Sequence, residues 1–150
     1  MSIEVRTHTA LHIVKGAIVQ VLGENAKWST STGIDGGHGR IAVEYNRKPT
    51  EEEIEDIQKK INEKVSEDVE IEIHKMSRKD AETRWGDWIY DKFPLPESIQ
   101  QLTIFHLPDW NVNACNKKHT KTTGEVGTIK LTKTRYRKSK NVLEVSFDVE

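Results

Sequence analysis

Disulfides are the first thing this chain cannot have. Its 150 residues contain one cysteine, which excludes a cross-linked framework and leaves nothing that suggests secretion. Long apolar runs are missing as well. No uncharged stretch approaches the roughly 20 residues of a membrane-spanning helix, and the N-terminus MSIEVRTHTAL lacks the apolar core of a signal peptide. Internal repeats, low-complexity tracts and obvious linkers are absent too. A chain of this length suits one domain with a real hydrophobic core. The expectation is a single soluble, cytoplasmic domain over residues 1–150.

Net charge is nearly absent at −1, but the charges are unevenly placed. From Glu51 to Asp91 there are 14 acidic and 7 basic residues, whereas from Cys115 to Lys140 there are 9 basic residues and one acidic, Glu125. That asymmetry suits a polyanionic partner meeting the C-terminal half. A merely solvated surface accounts for the charge equally well.

What the chain does have is two pairs of candidate metal ligands at its opposite ends. His8 and His12 frame HTALH, and Cys115 and His119 frame CNKKH. On a helix, residues i and i+4 lie on one face, so His8 and His12 can aim both rings at one ion. A thiolate with two or three imidazoles suits zinc and disfavours magnesium or calcium. Alone, a His-x-x-x-His arises by chance and a lone cysteine is a small hydrophobe. Taken together the pairs point to a metal.

Periodicity outlines an α+β sandwich with a mixed or antiparallel sheet and packed helices. Thr7 or His8 to Leu22 reads as a helix whose stripe of Leu11, Val14, Ile18 and Leu22 is widened by Ile13, Ala17 and Val21. Gly16 there suggests close approach by another backbone. Trp28–Ile34 and Arg40–Asn46 read as strands joined by GIDGGHG. Thr50 begins a second helix through a Thr-x-x-Glu capping box with Glu53. A strand over Val69–His74, a helix over Ser77–Trp85 and a strand over Ile99–Leu107 follow. Pro94 and Pro96 make DKFPLPES a turn, and Trp85, Trp88 and Phe93 read as core or lid residues. Asp109–His119 is polar and irregular, as a site loop would be. Thr128–Arg137 and Asn141–Val149 form a terminal hairpin, its last strand buried on one face.

Several chemistries can be set aside. A zinc peptidase of the His-Glu-x-x-His type carries its general base between the ligands, and Thr9 and its neighbours here cannot serve. A structural finger has a tiny domain around closely spaced ligands; this domain has core enough to fold without metal. The arrangement suits a working zinc that polarises an ester carbonyl, activates water or holds a substrate group.

HTALHIV, followed at long range by CNKKHTKTTGEVG, resembles the trans-acting alanyl-tRNA editing proteins of the short, free-standing AlaX type. These are related to the editing domains of alanyl- and threonyl-tRNA synthetases. The resemblance spans essentially the whole chain, including KWSTST, the helix after RKPTEEE and the terminal hairpin. It implies a synthetase-editing-domain fold and a deacylase that hydrolyses serine, with glycine a further candidate, wrongly esterified to alanine tRNA. It makes His8, His12, Cys115 and His119 the ligands of one zinc per monomer, through which catalysis runs, and tRNA the partner. It also implies that a strand hydroxyl favours serine over alanine.

In KWSTST, Trp28, Thr30 and Thr32 share one face of a regular strand and Ser29 and Ser31 the other. With Trp28 assigned to the core, Ser29 is the first choice for that contact, with Ser31 or Thr30 behind it. Lys117 and Lys118 stand where the related synthetase domains have a glycine-rich spacer; they are candidates for terminal phosphates, and a solvated surface accounts for them as well. The resemblance to the short type carries the expectation of no N-terminal glycine-rich domain such as longer family members have, which makes the basic hairpin the candidate for the acceptor stem. Asp109, Asn111 and Asn113 suit a turn and equally are candidates for orienting ligands, Asp109 foremost as the carboxylate partner of an imidazole. His38, His74 and His106 have no partner at ligand spacing and read as structural or surface residues. Two other functions share these features: a zinc-stabilised RNA-binding protein without hydrolytic activity, and a zinc hydrolase of small esters unrelated to tRNA.

Overall fold

A computed structural model describes residues 1–150. It has three α-helices and two antiparallel sheets: α1 (Ile3–Leu22), β1 (Ser29–Asp35), β2 (His38–Glu44), α2 (Glu51–Glu67), β3 (Glu72–Ser77), α3 (Arg78–Trp85), β4 (Gln101–Leu107), β5 (Asn111–Ala114), β6 (Ile129–Arg137) and β7 (Val142–Val149). The larger sheet has strand order β1-β2-β7-β6 and the smaller β3-β4-β5. The α+β class holds, and both sheets are wholly antiparallel.

α1 organises the molecule. It begins at Ile3, one turn before the sequence suggested, because Ser2 caps it by accepting from the Val5 amide. Its interior is buried almost all round from Thr7 to Ile18. Ile41 and Val43 of β2, Leu143, Val145 and Phe147 of β7, Ile57 and Ile61 of α2, and Phe105 and Leu107 of β4 belong with it to one core. A helix held between a sheet, another helix and a second sheet has no wet face. Gly16 is a point of close approach, although to a side chain and not a backbone. A Cβ there would lie 2.2 Å from the Trp110 ring, whose Nε1 donates to the Ile13 carbonyl at 3.0 Å.

α2 carries its capping box: the Glu53 amide donates to Thr50 Oγ1, and the Thr50 amide donates to Glu53 Oε1. Arg47 grips the same carboxylate with two bonds of 2.7 Å. β1 and β2 turn tightly through Gly36 and Gly37, with Asp35 paired to His38; Gly36 supplies a φ of +56°.

Five expectations change. β1 is not regular: its register shifts between Ser29 and Ser31, and an added residue reverses which side chains share a face beyond it. The third strand begins at Glu72 and not at Val69, and Ile73 within it is exposed. Part of the polar segment before Cys115 is strand, because β5 pairs with β4 from Leu107↔Asn111 to Ile104↔Ala114. Trp28 is only partly buried, with Lys27 Nζ 4.8 Å from its ring centroid, and does not join the core. Phe93 is 71% exposed and is no core residue either.

Candidate metal centre and its cavity

His8 and His12 sit one turn apart on α1, Cys115 follows β5, and His119 lies in the loop beyond it. The fold brings their ligand atoms within 4.8 Å of one another. His8 Nε2 lies 3.1 Å from Cys115 Sγ, which lies 3.6 Å from His119 Nε2, which lies 3.2 Å from His12 Nε2. Tetrahedral zinc with bonds of about 2.0–2.3 Å needs ligand atoms at about this mutual spacing.

Each ligand is held by its neighbours. His12 Nδ1 lies 2.9 Å from Asn111 Oδ1. An amide oxygen only accepts, so Nδ1 carries the proton and Nε2 turns a bare lone pair to the other three. Phe105 stacks on the same ring at 3.9 Å between centroids. The Cys115 amide donates to the Thr103 carbonyl at 2.9 Å, continuing the β4–β5 ladder through the ligand. Thr9, between the two helix histidines, accepts from the Thr120 amide at 2.9 Å and so ties the loop beside His119 to α1. Asn111 therefore takes the role anticipated for Asp109. Asp109 is exposed at a φ of +59°, and its backbone carbonyl accepts from Gln20.

The electrostatics match a metal-binding set. Burial lowers the affinity of His12 for a proton well below the ordinary imidazole range, helped by His119 and His8. Burial and the neighbouring His8 bring His119 down to about 4. Burial and Lys117 lower His8. At neutral pH all three rings are neutral and able to ligate. Burial pushes the Cys115 thiol up, against a smaller opposing effect of the Lys117 amide, so a cation binding there must displace its proton. His119 Nδ1 is buried without a hydrogen-bond partner. The donor set fits zinc, with three nitrogens and one sulfur converging on one point.

Three of the four, His8, His12 and Cys115, line a cavity of about 780 Å³, whose wall also includes Lys15, Ser29, Trp88, Asp91 and Lys117. Ser29 is 4% exposed and Lys15 is 9% exposed. Lys15 Nζ donates to Ser29 Oγ and to the Lys27 carbonyl, each at 2.6 Å. Burial pulls the Lys15 amine down to about 8, partly opposed by Asp91. Sequence reasoning passed over Lys15. Its signal was a lone charge inside the apolar run LHIVKGAIV.

The remaining candidates divide. The β1 irregularity puts Ser29 and Thr32 on the cavity, while Thr30 and Ser31 border a shallower depression with Glu44 and Lys92. Ser31 accepts from Arg40 Nη1 at 3.2 Å, and Thr30 donates to the Ala42 carbonyl at 3.4 Å. These two therefore do not line the cavity that the candidate metal group borders. Lys117 is on the cavity wall; Lys118 is exposed and not part of it. Lys130, Lys133 and Arg135 of the terminal hairpin are exposed, and Arg137 pairs with Glu144.

The other histidines are not isolated as the spacing suggested. Glu72 pairs with His106 across β3 and β4, and His74 lies two residues along the same strand face. Glu72 Oε1 lies 2.9 Å from His74 Nε2 and 3.0 Å from His106 Nδ1. His38 Nδ1 lies 2.8 Å from Asp148 Oδ1. Cross-strand neighbours of this kind have no fixed spacing in sequence.

No family model matches the chain. Among curated proteins it is similar to alanine–tRNA ligases: that of Methanococcus aeolicus at 34% identity over 129 residues, covering 86% of this chain and 14% of the ligase. The ligase of Methanopyrus kandleri is 32% identical over 126 residues, 84% of this chain and 13% of the ligase. That of Methanococcus vannielii is 35% identical over 129 residues. The chain thus corresponds over most of its length to a segment spanning about one seventh of an alanine–tRNA ligase.

Proposed function

We propose that the protein is a zinc-dependent deacylase that hydrolyses the ester joining serine to mischarged alanine tRNA, acting in the cytoplasm as a chain separate from the ligase. The observation that carries this reading is the convergence of three neutral imidazoles and a thiol beside a buried hydroxyl in one cavity, in a chain similar to a segment of alanine–tRNA ligases.

His8, His12, Cys115 and His119 would hold one zinc at this site, which supplies Lewis-acid charge for an ester carbonyl or a substrate amine or hydroxyl. Asn111 fixes the tautomer of His12, and Thr9 anchors the loop that carries His119. Size cannot exclude alanine, which is smaller than serine. A site that bonds a hydroxyl can instead reject the analogue lacking it by up to about 10⁴–10⁵, because its own polar groups are left unpaired. Ser29 is the candidate for that contact. Lys117, on the cavity wall, is the candidate for a terminal phosphate of the tRNA, and the exposed cations of the hairpin are candidates for the acceptor stem.

The test is incubation with seryl- and alanyl-charged alanine tRNA, with and without a chelator. Rapid release of serine, sparing of alanine and loss of activity on chelation are expected. Equal hydrolysis of both esters would refute the editing role. Wholesale unfolding on chelation, without deacylation beforehand, would favour a zinc-stabilised RNA-binding protein. Under the proposed reading Ser29→Ala narrows the seryl-to-alanyl ratio while zinc content stays unchanged.

A further inference from the structure

Lys15 is a cation buried in the wall of the cavity with no carboxylate in ion-pair contact. An ammonium has three donors and no acceptor. Two of those donors are taken by the Lys27 carbonyl and Ser29 Oγ. Because the ammonium can only donate, Ser29 Oγ must accept, and the Ser29 hydroxyl proton is left to point elsewhere. No acceptor in the protein takes that proton, and none takes the third Lys15 donor. The two residues stand together on the cavity wall, so the wall presents two adjacent unpaired donors, both almost wholly buried.

We infer that Lys15 is a positioning residue that fixes the Ser29 hydroxyl as a donor into the cavity. The pair thereby forms a subsite for an oxygen acceptor on the side chain of the esterified amino acid. This inference rests on the proposed deacylase reading and deepens it by ranking the three small amino acids.

Serine places an oxygen against the donors. Glycine places nothing there and leaves room for a water, which satisfies them. Alanine is the worst occupant, because its methyl displaces the water and offers no acceptor, so buried donors go unpaired. The order of hydrolysis is serine first, glycine second and alanine last. Size alone would put alanine between the other two. Without Lys15 the Ser29 hydroxyl is free to turn its proton away and its polarity is no longer set.

The experiment measures kcat and KM on seryl-, glycyl- and alanyl-charged alanine tRNA, with zinc content determined in parallel. The proteins are the zinc-loaded wild type, Lys15→Met, Lys15→Gln and Ser29→Thr. Methionine keeps the length and apolar stem but cannot donate; glutamine can accept as well as donate, so it cannot enforce the polarity; threonine keeps the hydroxyl. The wild type should follow the order serine, glycine, alanine. Lys15→Met and Lys15→Gln should lower the seryl-to-alanyl ratio of kcat/KM by about tenfold or more. That loss should appear mainly in KM for the seryl ester, with zinc content unchanged, and Ser29→Thr should retain most of the preference. An undiminished ratio in either Lys15 variant overturns the inference and leaves the deacylase reading standing. So does wild-type hydrolysis of alanyl ester faster than glycyl ester, a result that needs no variant to fold. Failure of the wild type to release serine at all overturns the deacylase reading, and the inference with it.

Discussion

Two groups of ligand-type side chains lie in this small domain, and they differ in what surrounds each ring nitrogen. In the group of His8, His12, Cys115 and His119, lone pairs and a thiol face one another. Burial holds the rings neutral, and no carboxylate stands among them. In the group of Glu72, His74 and His106, one carboxylate oxygen receives a ring N–H from each side, and the side chains are partly wet, with Glu72 41% exposed. The first group has acceptors without enough protons, which a cation resolves. The second is already satisfied by its own hydrogen bonds. Proximity of histidines is therefore a weaker sign of a metal than the absence of anything else for them to bond.

The sharpest way to break this comparison is to remove one member from each group. Cys115→Ala should lose zinc and reduce deacylation on the order of a thousandfold, the several kcal/mol that a catalytic metal supplies. His74→Ala should keep its zinc. Metal analysis beside a deacylation assay checks both, and full zinc occupancy in Cys115→Ala would end the four-residue assignment.

Acid should separate the groups next. A histidine whose folded pKa lies below its unfolded value costs stability as pH falls, because the unfolded chain takes the proton first. For His119 the loss begins near its ordinary 6.5 and is complete near 4. In metal-free protein the cluster should therefore lose on the order of 2 kcal/mol between those values, discounted for partial exposure. Hydrogen bonds from His74 and His106 lower the Glu72 carboxyl below its usual 4.5. Its contribution is therefore present above that value and is lost only at lower pH. Urea melts of metal-free protein from pH 7 to 3 read the two ranges, and a flat profile between 6.5 and 4 would contradict the buried-neutral picture.

A smaller effect tests the cost of the cavity wall. Burial brings the Lys15 amine from 10.5 to about 8. As pH falls below the unfolded value the unfolded chain protonates first, so the full cost is present at pH 7. Lys15→Met should raise stability at pH 7 by roughly 1–2 kcal/mol, less than the whole shift because two hydrogen bonds go with the charge. Thermal melts at pH 7 check it, and a lowered Tm would mean that the bonds outweigh the buried charge. The least effect belongs to the second group, where His74 is partly wet and His74→Ala should change unfolding free energy by less than about 1 kcal/mol.

Local patterns legible in the sequence include the Thr50–Glu53 capping box, the stripe of α1 and the alternation of Leu143, Val145, Phe147 and Val149. Each depends on residues a few positions apart, and each appears in the structure. The spacing of His8 and His12 gave one half of the candidate metal group and that of Cys115 and His119 the other. What spacing could not give was distance across the fold. Asn111 and not Asp109 meets His12 because β5 pairs with β4 and presents that residue to α1. Thr30 and Ser31 leave the cavity because β1 shifts its register by a residue, an event with no sign in KWSTST.

Composition and periodicity by themselves determined an α+β class without an internal disulfide, with a largely buried first helix and two pairs of candidate metal ligands far apart in the chain. Helical and strand periods are local steric properties and survive without knowledge of the fold. Tertiary structure alone decided that the pairs meet, that Lys15 and Ser29 face the same cavity, and that Glu72 joins His74 and His106. Those contacts are made by strand pairing and layer packing, where the burial of apolar surface and the satisfaction of backbone bonds choose the neighbours.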